Sequence, residues 1–145
     1  MIGLVVAGHG HFASGLHESA RMIAGENELV RYVDFEDGMT PEQLNEKLNA
    51  AFNDFAHCDG IVALTDLPGG APFRAAVECS YGHPDKKIEV LAGTNLPMIV
   101  TGVTMVEFEE DATAMAEELI LTGKESIVRF ELVEREEEDE ESDGI

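Results

Sequence analysis

Two stretches of the chain are short, nearly continuous runs of apolar residues. They cover residues 2–7 (IGLVVA) and 60–65 (GIVALT), and each ends at a polar or glycine-rich segment. Unbroken apolar runs of this length are typical of strands that are covered on both faces, as in a parallel sheet. The two runs therefore predict a buried sheet with helices on either side.

Segments with helical periodicity separate these runs from two further apolar runs, at 29–34 and 88–92. The segment TPEQ at 40–43 has the form of a capping box with proline at the first helical position, and Gly25 and Gly123 are placed to end helices. Strands that alternate with helices predict an α/β fold with right-handed crossovers. We expect an open, doubly wound, mainly parallel sheet of order 2-1-3-4 with helices on both faces.

The last apolar segment, 126–133, has a different pattern. Val128, Phe130 and Leu132 alternate with Arg129 and Glu131, which is the period of a half-exposed strand. We expect an antiparallel strand at the edge of the sheet, and a second subunit is one partner with which it could pair.

The length and charge of the chain limit the kinds of protein it can be. With 145 residues, 44% of them hydrophobic, the chain suits a single domain, which we assign to 1–133. A run of like charges follows at 134–145 and predicts a disordered acidic tail. The net charge of −21, from 30 acidic and 9 basic residues, argues against nucleic acid as a partner.

Cysteine usage and hydropathy predict the compartment. Cys58 and Cys79 are too far apart to form a Cys-x-x-Cys pair and are interpreted as small hydrophobic residues. No secretory leader pattern opens the sequence, and no apolar run approaches the ~20 residues needed to span a bilayer. We therefore expect a cytoplasmic protein.

Candidate site residues follow three of the predicted strands. In open α/β sheets, ligands bind beyond the carboxyl ends of the strands, where the winding direction reverses. The segment GHG at 8–10 follows the first strand, Asp66 with LPGG follows the third, and GTN at 93–95 follows the fourth. In the order 2-1-3-4 the first and third strands are neighbours, so we expect His9 to face Asp66.

A carboxylate beside an imidazole gives His9 a definite chemical role. If Asp66 accepts a hydrogen bond from Nδ1–H, the lone pair is left on Nε2 and the cationic ring is stabilised, so that His9 becomes a nucleophile. The backbone N–H groups of Gly69, Gly70 and Ala71, at the start of the following helix, could hold an anionic group such as a phosphoryl.

Each of these residues also has a plainer interpretation. Gly-His-Gly after a strand can be only a tight turn, Asp66 can cap a turn or a helix, and Pro-Gly-Gly is common in turns. A metal site would require His9, His11 and His17 to converge, but no cysteine or clustered carboxylate completes a tetrahedral set. We therefore predict no metal.

Three segments carry a resemblance to a known family. LVVAGHGHFASGL, GIVALTDLPGGAPFRAA and VLAGTNLPMIV occur in this order. They closely resemble the enzyme IIA component of mannose-family sugar phosphotransferase systems, over about the first 130 residues. Within that family the segments look closest to the branch for N-acetylgalactosamine and related amino sugars or uronic-acid disaccharides.

The resemblance implies a homodimeric cytoplasmic phosphocarrier that needs no cofactor. His9 would accept a phosphoryl group from the histidine-containing phosphocarrier protein and pass it to enzyme IIB, with the membrane components IIC and IID acting downstream. Asp66 would bind the imidazole, and the last strand would be exchanged between subunits. Many family members carry Ser or Thr where this chain has Ala71, so a hydroxyl contact to phosphate is missing here.

A partner protein would have to dock over the ends of the first and third strands. We expect an apolar rim there, formed by Phe12, Leu67, Pro68 and Phe73. Two alternatives remain open: the phosphotransfer subunit of a dihydroxyacetone kinase, and a noncatalytic α/β module that binds a small anion in the same crevice.

Overall fold

A computed structural model gives the fold of the protein and describes residues 1–134. Strands and helices alternate through most of this range, as predicted from the sequence. Their bounds are β1 Ile2–His9, α1 Phe12–Ala24, β2 Val30–Phe35, α2 Pro41–Asp54, β3 Gly60–Thr65, α3 Ala71–Tyr81, β4 Lys87–Leu91, α4 Leu96–Met105 and α5 Ala112–Glu125.

The described strands form one parallel sheet of order β2-β1-β3-β4. The predicted strand order and α/β fold class are thus confirmed. In the register of β1 and β3, Ala7 lies opposite Thr65. The two strands therefore end at the same edge of the sheet, and the residues that follow them meet there.

Helices cover both faces of the sheet, as predicted. On one face α1 packs against α4 and α4 against α5, while α2 and α3 pack together on the other. All six residues of β3 are buried, and so are the first seven of β1. Of the helices that the structure describes, none is both long and apolar enough to span a bilayer.

Strand β1 extends two residues beyond the predicted end at Ala7. The extension is due to pairing with β2, in which Gly8 lies opposite Asp34 and His9 opposite Phe35. Gly10, with a φ of +58°, then turns the chain towards α1. His9 is thus held by a strand on its N-terminal side and is not a free turn residue.

Two of the three predicted helix boundaries are confirmed. The Thr40 hydroxyl accepts the N–H of Gln43, whose side chain accepts the Thr40 N–H, which completes the capping box. Gly25, with a φ of +80°, ends α1. The prediction for Gly123 is wrong, because α5 continues to Glu125. A Cβ at position 123 would lie 2.6 Å from the Met98 sulfur, so this glycine allows close helix packing.

The predicted edge strand at 126–133 is not formed within this chain. Within the described part of the chain, residues 127–134 form no strand and no hydrogen bond, and the side chains of Val128, Phe130 and Leu132 are exposed. An alternating pattern is a local property of the sequence, whereas a strand needs a sheet edge within reach. Exchange with a second subunit stays a prediction, and the predicted tail at 134–145 lies outside the described residues except for Glu134.

Candidate functional site

The parallel pairing of β1 and β3 places His9 and Asp66 side by side. The ring Nδ1 of His9 lies 2.7 Å from Oδ2 of Asp66, and the backbone N–H of His9 donates to the same oxygen at 2.8 Å. The ring is open to solvent, with 45% of the His9 side chain exposed against 12% for Asp66. The site thus combines an accessible imidazole with a sheltered carboxylate.

Hydrogen bonds determine the charge of Asp66 and the ring nitrogen of His9 that carries the shared proton. Burial alone would raise the pKa of Asp66, but the hydrogen bonds from the backbone and ring of His9 and from the Leu67 N–H outweigh it and hold that pKa below its ordinary value. Asp66 is therefore ionised and can only accept. The proton of the shared bond is thus assigned to Nδ1 of His9, which leaves the lone pair on Nε2.

The segment after Asp66 forms a tight turn that ends against the imidazole. The N–H of Gly70 donates to the carbonyl of Leu67 at 3.1 Å, with Pro68 and then Gly69, at a φ of +74°, in between. A Cβ on Gly70 would lie only 3.0 Å from Cε1 of His9. Because Nε2 is bonded to Cε1, the beginning of α3 adjoins the reactive edge of the ring.

This turn changes the predicted set of phosphoryl-binding groups. Gly70 is wrong as a free N–H donor, because its N–H already closes the turn on Leu67. Among residues 1–134, the N–H groups of Gly69 and Ala71 donate to no protein acceptor. Ala71 is the first residue of α3, so an anion beside His9 would also meet the positive end of the helix dipole.

The predicted apolar rim has an exposed part and a half-buried part. Leu67 is 59% exposed and Pro68 is also exposed, whereas Phe12 and Phe73 are half-buried. Phe12 packs over Gly8, where a Cβ would lie 2.4 Å from its ring. Leu67 and Pro68 are therefore the exposed members of the predicted rim.

The segment GTN at 93–95 supports Asp66 through the backbone. The N–H of Gly93 donates to the Asp66 carbonyl at 2.8 Å, and the N–H of Thr94 donates to the Thr65 carbonyl at 3.1 Å. The side chain of Asn95 caps α4 by accepting the N–H of Met98. The third predicted segment thus fixes the loop that carries the carboxylate.

The three histidines considered as metal ligands do not converge. His9 is paired with Asp66. The Nε2 of His17 lies 2.8 Å from a Glu26 oxygen, and its ring stacks on Tyr32 with the ring centroids 4.1 Å apart. Burial, with the nearby charge of Glu26, raises the pKa of Tyr32 to about 12. His17 lies on α1, Tyr32 on β2 and Glu26 in the loop between them, and the hydrogen-bond and stacking partners of the His17 ring do not include His9.

His11 has carboxylate neighbours that sequence reasoning missed. One potential ligand atom each from His11, Asp34 and Glu36 lies within 4.8 Å of the others. The statement that no clustered carboxylate is available is therefore wrong for His11, because the pairing of β1 with β2 brings these side chains together. In the described part of the chain this is the group that could hold a metal ion, and it does not include His9.

Sequence reasoning also missed a role for Arg74. Its Nη1 donates to the carbonyl of Gly69 at 2.8 Å, across the turn that adjoins the imidazole. A signal was present, because Arg74 is the one side chain in the first turn of α3 that can donate a hydrogen bond.

Comparisons with known proteins agree on one family. The EIIA-man family model, described as "PTS system fructose IIA component", matches residues 3–120. The mannose-specific EIIAB component of Escherichia coli (strain K12) is 34% identical over 127 residues, which cover 87% of this chain but 38% of that protein. The chain thus spans well under half the length of that relative. The fructose-specific EIIA component of Bacillus subtilis (strain 168) is 34% identical over 107 residues, or 74% of this chain and 72% of the relative.

Solved structures with the same fold carry related names. The phosphotransferase system component EIIA from Streptococcus agalactiae superposes with a TM-score of 0.82 at 33% identity, covering 89% of this chain and 97% of that one. The mannose/sorbose-specific IIA subunit from Enterococcus faecalis superposes with a TM-score of 0.76 at 26% identity, covering 92% and 98%.

Proposed function

Because the chain belongs to the EIIA-man family of phosphotransferase system IIA components, we propose that it is a phosphocarrier of a sugar phosphotransferase system with His9 as its phosphoryl acceptor. The observation that carries the proposal is the 2.7 Å contact between Nδ1 of His9 and the ionised Asp66. This contact directs the lone pair of Nε2 outward at the carboxyl edge of the sheet.

The transfer forms one P–N bond as another breaks. Nε2 of His9 attacks the phosphorus of a phosphohistidine on the donor protein, in line with the leaving nitrogen, which recovers its electron pair. The proton on Nδ1 of His9 stays in place throughout. As the ring gains positive charge, the facing carboxylate of Asp66 stabilises it. The second transfer, to the acceptor protein, reverses these steps.

The beginning of α3 would stabilise the phosphoryl oxygens. Gly70, the N-cap of α3, adjoins Cε1 of His9, and Ala71 follows it as the first residue of the helix, so the Ala71 N–H and the helix dipole would meet the charge of the phosphoryl group. The methyl side chain of Ala71 adds no hydroxyl donor. Backbone groups and charge therefore provide the stabilisation that a serine or threonine would otherwise share.

The proposed partners follow from membership of the family. The donor is the histidine-containing phosphocarrier protein and the acceptor is enzyme IIB, both in the cytoplasm, with the membrane components IIC and IID acting downstream. Docking would use the apolar rim of Phe12, Leu67, Pro68 and Phe73, of which Leu67 and Pro68 are the exposed members. Because this chain carries a net charge of −21, partners with a basic or apolar surface are favoured.

A second copy of the chain is the proposed partner of segment 126–133. Strand β4 lies at one edge of the sheet and is half-exposed over Ile88, Glu89 and Val90, unlike the fully buried β3. A groove of about 490 Å³ runs beside β4 and α5, with Val90, Leu91, Ala116 and Ile120 among its lining residues. The alternating apolar side chains of the segment would cover this groove in the other subunit, as an antiparallel edge strand.

Phosphorylation of the purified protein tests the main proposal. With phosphoenolpyruvate, enzyme I and the phosphocarrier protein, we expect one acid-labile phosphoryl group per chain, located on His9 by mass spectrometry. The His9→Ala variant should lose it, whereas the matched variant His11→Ala, two residues away, should keep it. Equal labelling of His9→Ala and the wild-type protein contradicts the proposal.

The fate of the phosphoryl group separates this proposal from the kinase alternative. Labelled protein should transfer the group to a mannose-family enzyme IIB and not to the nucleotide-bearing subunit of a dihydroxyacetone kinase. The relatives reported above carry phosphotransferase-system names for mannose and fructose, which favours enzyme IIB. Assignment to the N-acetylgalactosamine branch stays a prediction.

A further inference from the structure

Arg74 is bound to a backbone carbonyl at the candidate site and not to a carboxylate. Its Nη1 donates to the Gly69 carbonyl at 2.8 Å, and among residues 1–134 no acidic group forms an ion pair with it. Arg31 also donates to backbone carbonyls, those of Glu28 and Val30, but it pairs in addition with Asp54 at 3.2 Å. The chain has 30 acidic residues to pair with, so an arginine held at this carbonyl needs a local explanation.

The carbonyl that Arg74 holds belongs to the turn that adjoins the imidazole. Gly69 has a φ of +74°, and its carbonyl lies on the peptide unit that joins it to Gly70. Gly70 in turn lies so close to His9 that a Cβ there would be 3.0 Å from Cε1. The orientation of this peptide unit therefore sets where α3 begins relative to Nε2 of His9.

We propose that Arg74 is a positioning residue for the phosphoryl group on His9, because it holds the Gly69–Gly70 turn against the imidazole. This inference rests on the proposed function and deepens it. Charge adds to the positioning: the incoming phosphoryl group is negative and Asp66 beside the ring is ionised, so a cation at the turn reduces the repulsion.

Two features of the chain suit arginine to this role. The guanidinium has five N–H donors in a planar fork, and the bond to Gly69 uses one of them. In addition, the other side chains in the first turn of α3, those of Ala71, Pro72 and Phe73, have no hydrogen-bond donor. Within the first turn of α3, Arg74 is therefore the side chain that can donate a hydrogen bond to an anion at the site.

The test compares Arg74→Met with Arg74→Lys and with Arg21→Met. Methionine keeps much of the length of the side chain but removes charge and donors, while lysine keeps the charge and can still donate to the Gly69 carbonyl. Arg21 is an exposed arginine on α1, 4.0 Å from Glu26, and its replacement serves as the matched control. Thermal unfolding of each variant checks that the fold is retained.

Two phosphoryl donors separate this inference from the proposed function. One is phosphoramidate, a small chemical donor to histidine, and the other is the phosphocarrier protein. With phosphoramidate we expect His9 of Arg74→Met to be phosphorylated about tenfold more slowly than the wild-type residue, as for loss of a charge-assisted hydrogen bond. Arg74→Lys should recover part of the rate, and Arg21→Met should match the wild-type protein.

Each result has a definite meaning. If phosphoramidate phosphorylates His9 at the same rate in the wild-type protein and in Arg74→Met, the role of Arg74 is overturned. This includes the result that neither protein is phosphorylated. A slow Arg74→Met that Arg74→Lys does not improve also overturns it, because the effect would then not depend on charge and donor. Failure of the phosphocarrier protein alone to label His9, with the phosphoramidate difference intact, overturns the proposed function and leaves the role of Arg74 standing.

Discussion

The edge of the sheet that carries His9 differs from the segment after α5. The two regions differ in how far their polar groups are hydrogen-bonded, and their apolar side chains covered, by the same chain. At the sheet edge, the carboxylate of Asp66 accepts three hydrogen bonds at 2.7 to 2.8 Å, all from the same chain. In the segment after α5, the described residues 127–134 form no backbone hydrogen bond, and Val128, Phe130 and Leu132 are 83%, 86% and 90% exposed.

We infer from this difference that phosphoryl transfer at His9 and the proposed association of two chains can be altered independently. The three hydrogen bonds that hold the Asp66 carboxylate all come from its own chain, so the pairing of His9 with Asp66 needs no second subunit. Exposed apolar side chains in an alternating pattern, by contrast, lower their free energy only when another surface covers them. Changes at the site should therefore alter the phosphoryl transfer rate, and changes in segment 126–133 should alter the association state.

Asp66→Asn should give the largest effect on rate. The amide has nearly the same shape but no charge, so it stabilises the cationic ring less, and its single oxygen cannot accept all the N–H groups that the two Asp66 oxygens accept. We expect the rate of phosphorylation by the phosphocarrier protein to fall about 10²–10⁴-fold. Asp34→Asn is the matched control, because Asp34 lies at the end of the neighbouring β2 and accepts the Ser14 N–H. A loss of less than about threefold in Asp66→Asn contradicts the role of the carboxylate.

In the proposed dimer, charged substitutions in segment 126–133 should separate the subunits and leave the phosphoryl transfer at His9 nearly unchanged. Burial of a side chain of this size contributes about 1.5–3 kcal/mol, so Val128→Asp with Phe130→Asp should raise the dimer dissociation constant about 100-fold or more. Light scattering after size exclusion measures the mass of the particle. The phosphorylation rate of His9 should stay within about threefold of the wild-type value.

The control for this experiment lies on the other face of the same segment. Arg129→Ala with Glu131→Ala keeps the apolar alternation and should keep the dimer. If the wild-type protein is already a monomer at micromolar concentration, the proposed pairing of the segment with β4 is wrong.

Gly70→Ala should have a smaller effect at the site. Its new Cβ would lie 3.0 Å from Cε1 of His9 and 3.3 Å from the Leu67 carbonyl, so the ring or the turn must shift by a few tenths of an ångström. Because rates of in-line transfer are sensitive to such displacements, we expect phosphorylation about tenfold slower. Gly15→Ala, where a Cβ would have no neighbour within 4 Å, is the control and should leave the rate unchanged. A wild-type rate in Gly70→Ala would show that the close approach does not matter.

The sequence predicts the pairing of His9 with Asp66 because the pairing depends on few facts. Two buried strands are visible as apolar runs, the residues directly after them are read from the sequence, and the strand order expected for this fold class makes the two strands neighbours. The capping box at Thr40 is likewise a local pattern and is confirmed. Both features need only short stretches of sequence and the expected strand order.

The remaining features depend on contacts between distant parts of the chain. Strand β1 reaches His9 only because it pairs with β2, and the same pairing brings Asp34 and Glu36 to His11. Gly123 has the sequence context of a helix stop, yet its packing against Met98 decides its role. No single-segment pattern contains this information.

Acid should lower the free energy of unfolding by protonating Asp66, and this is the smallest effect that we predict. The pKa of Asp66 is lowered in the folded protein, so its ionised form stabilises the fold above the ordinary carboxyl pKa of about 3.9. That contribution is lost as the pH falls through the lowered pKa. In urea unfolding between pH 7 and pH 3, the wild-type protein should therefore be more stable than Asp66→Asn above about pH 5. The difference should shrink below about pH 4, and a difference that stays constant over this range contradicts the hydrogen-bonded, ionised carboxylate on which the chemistry of His9 depends.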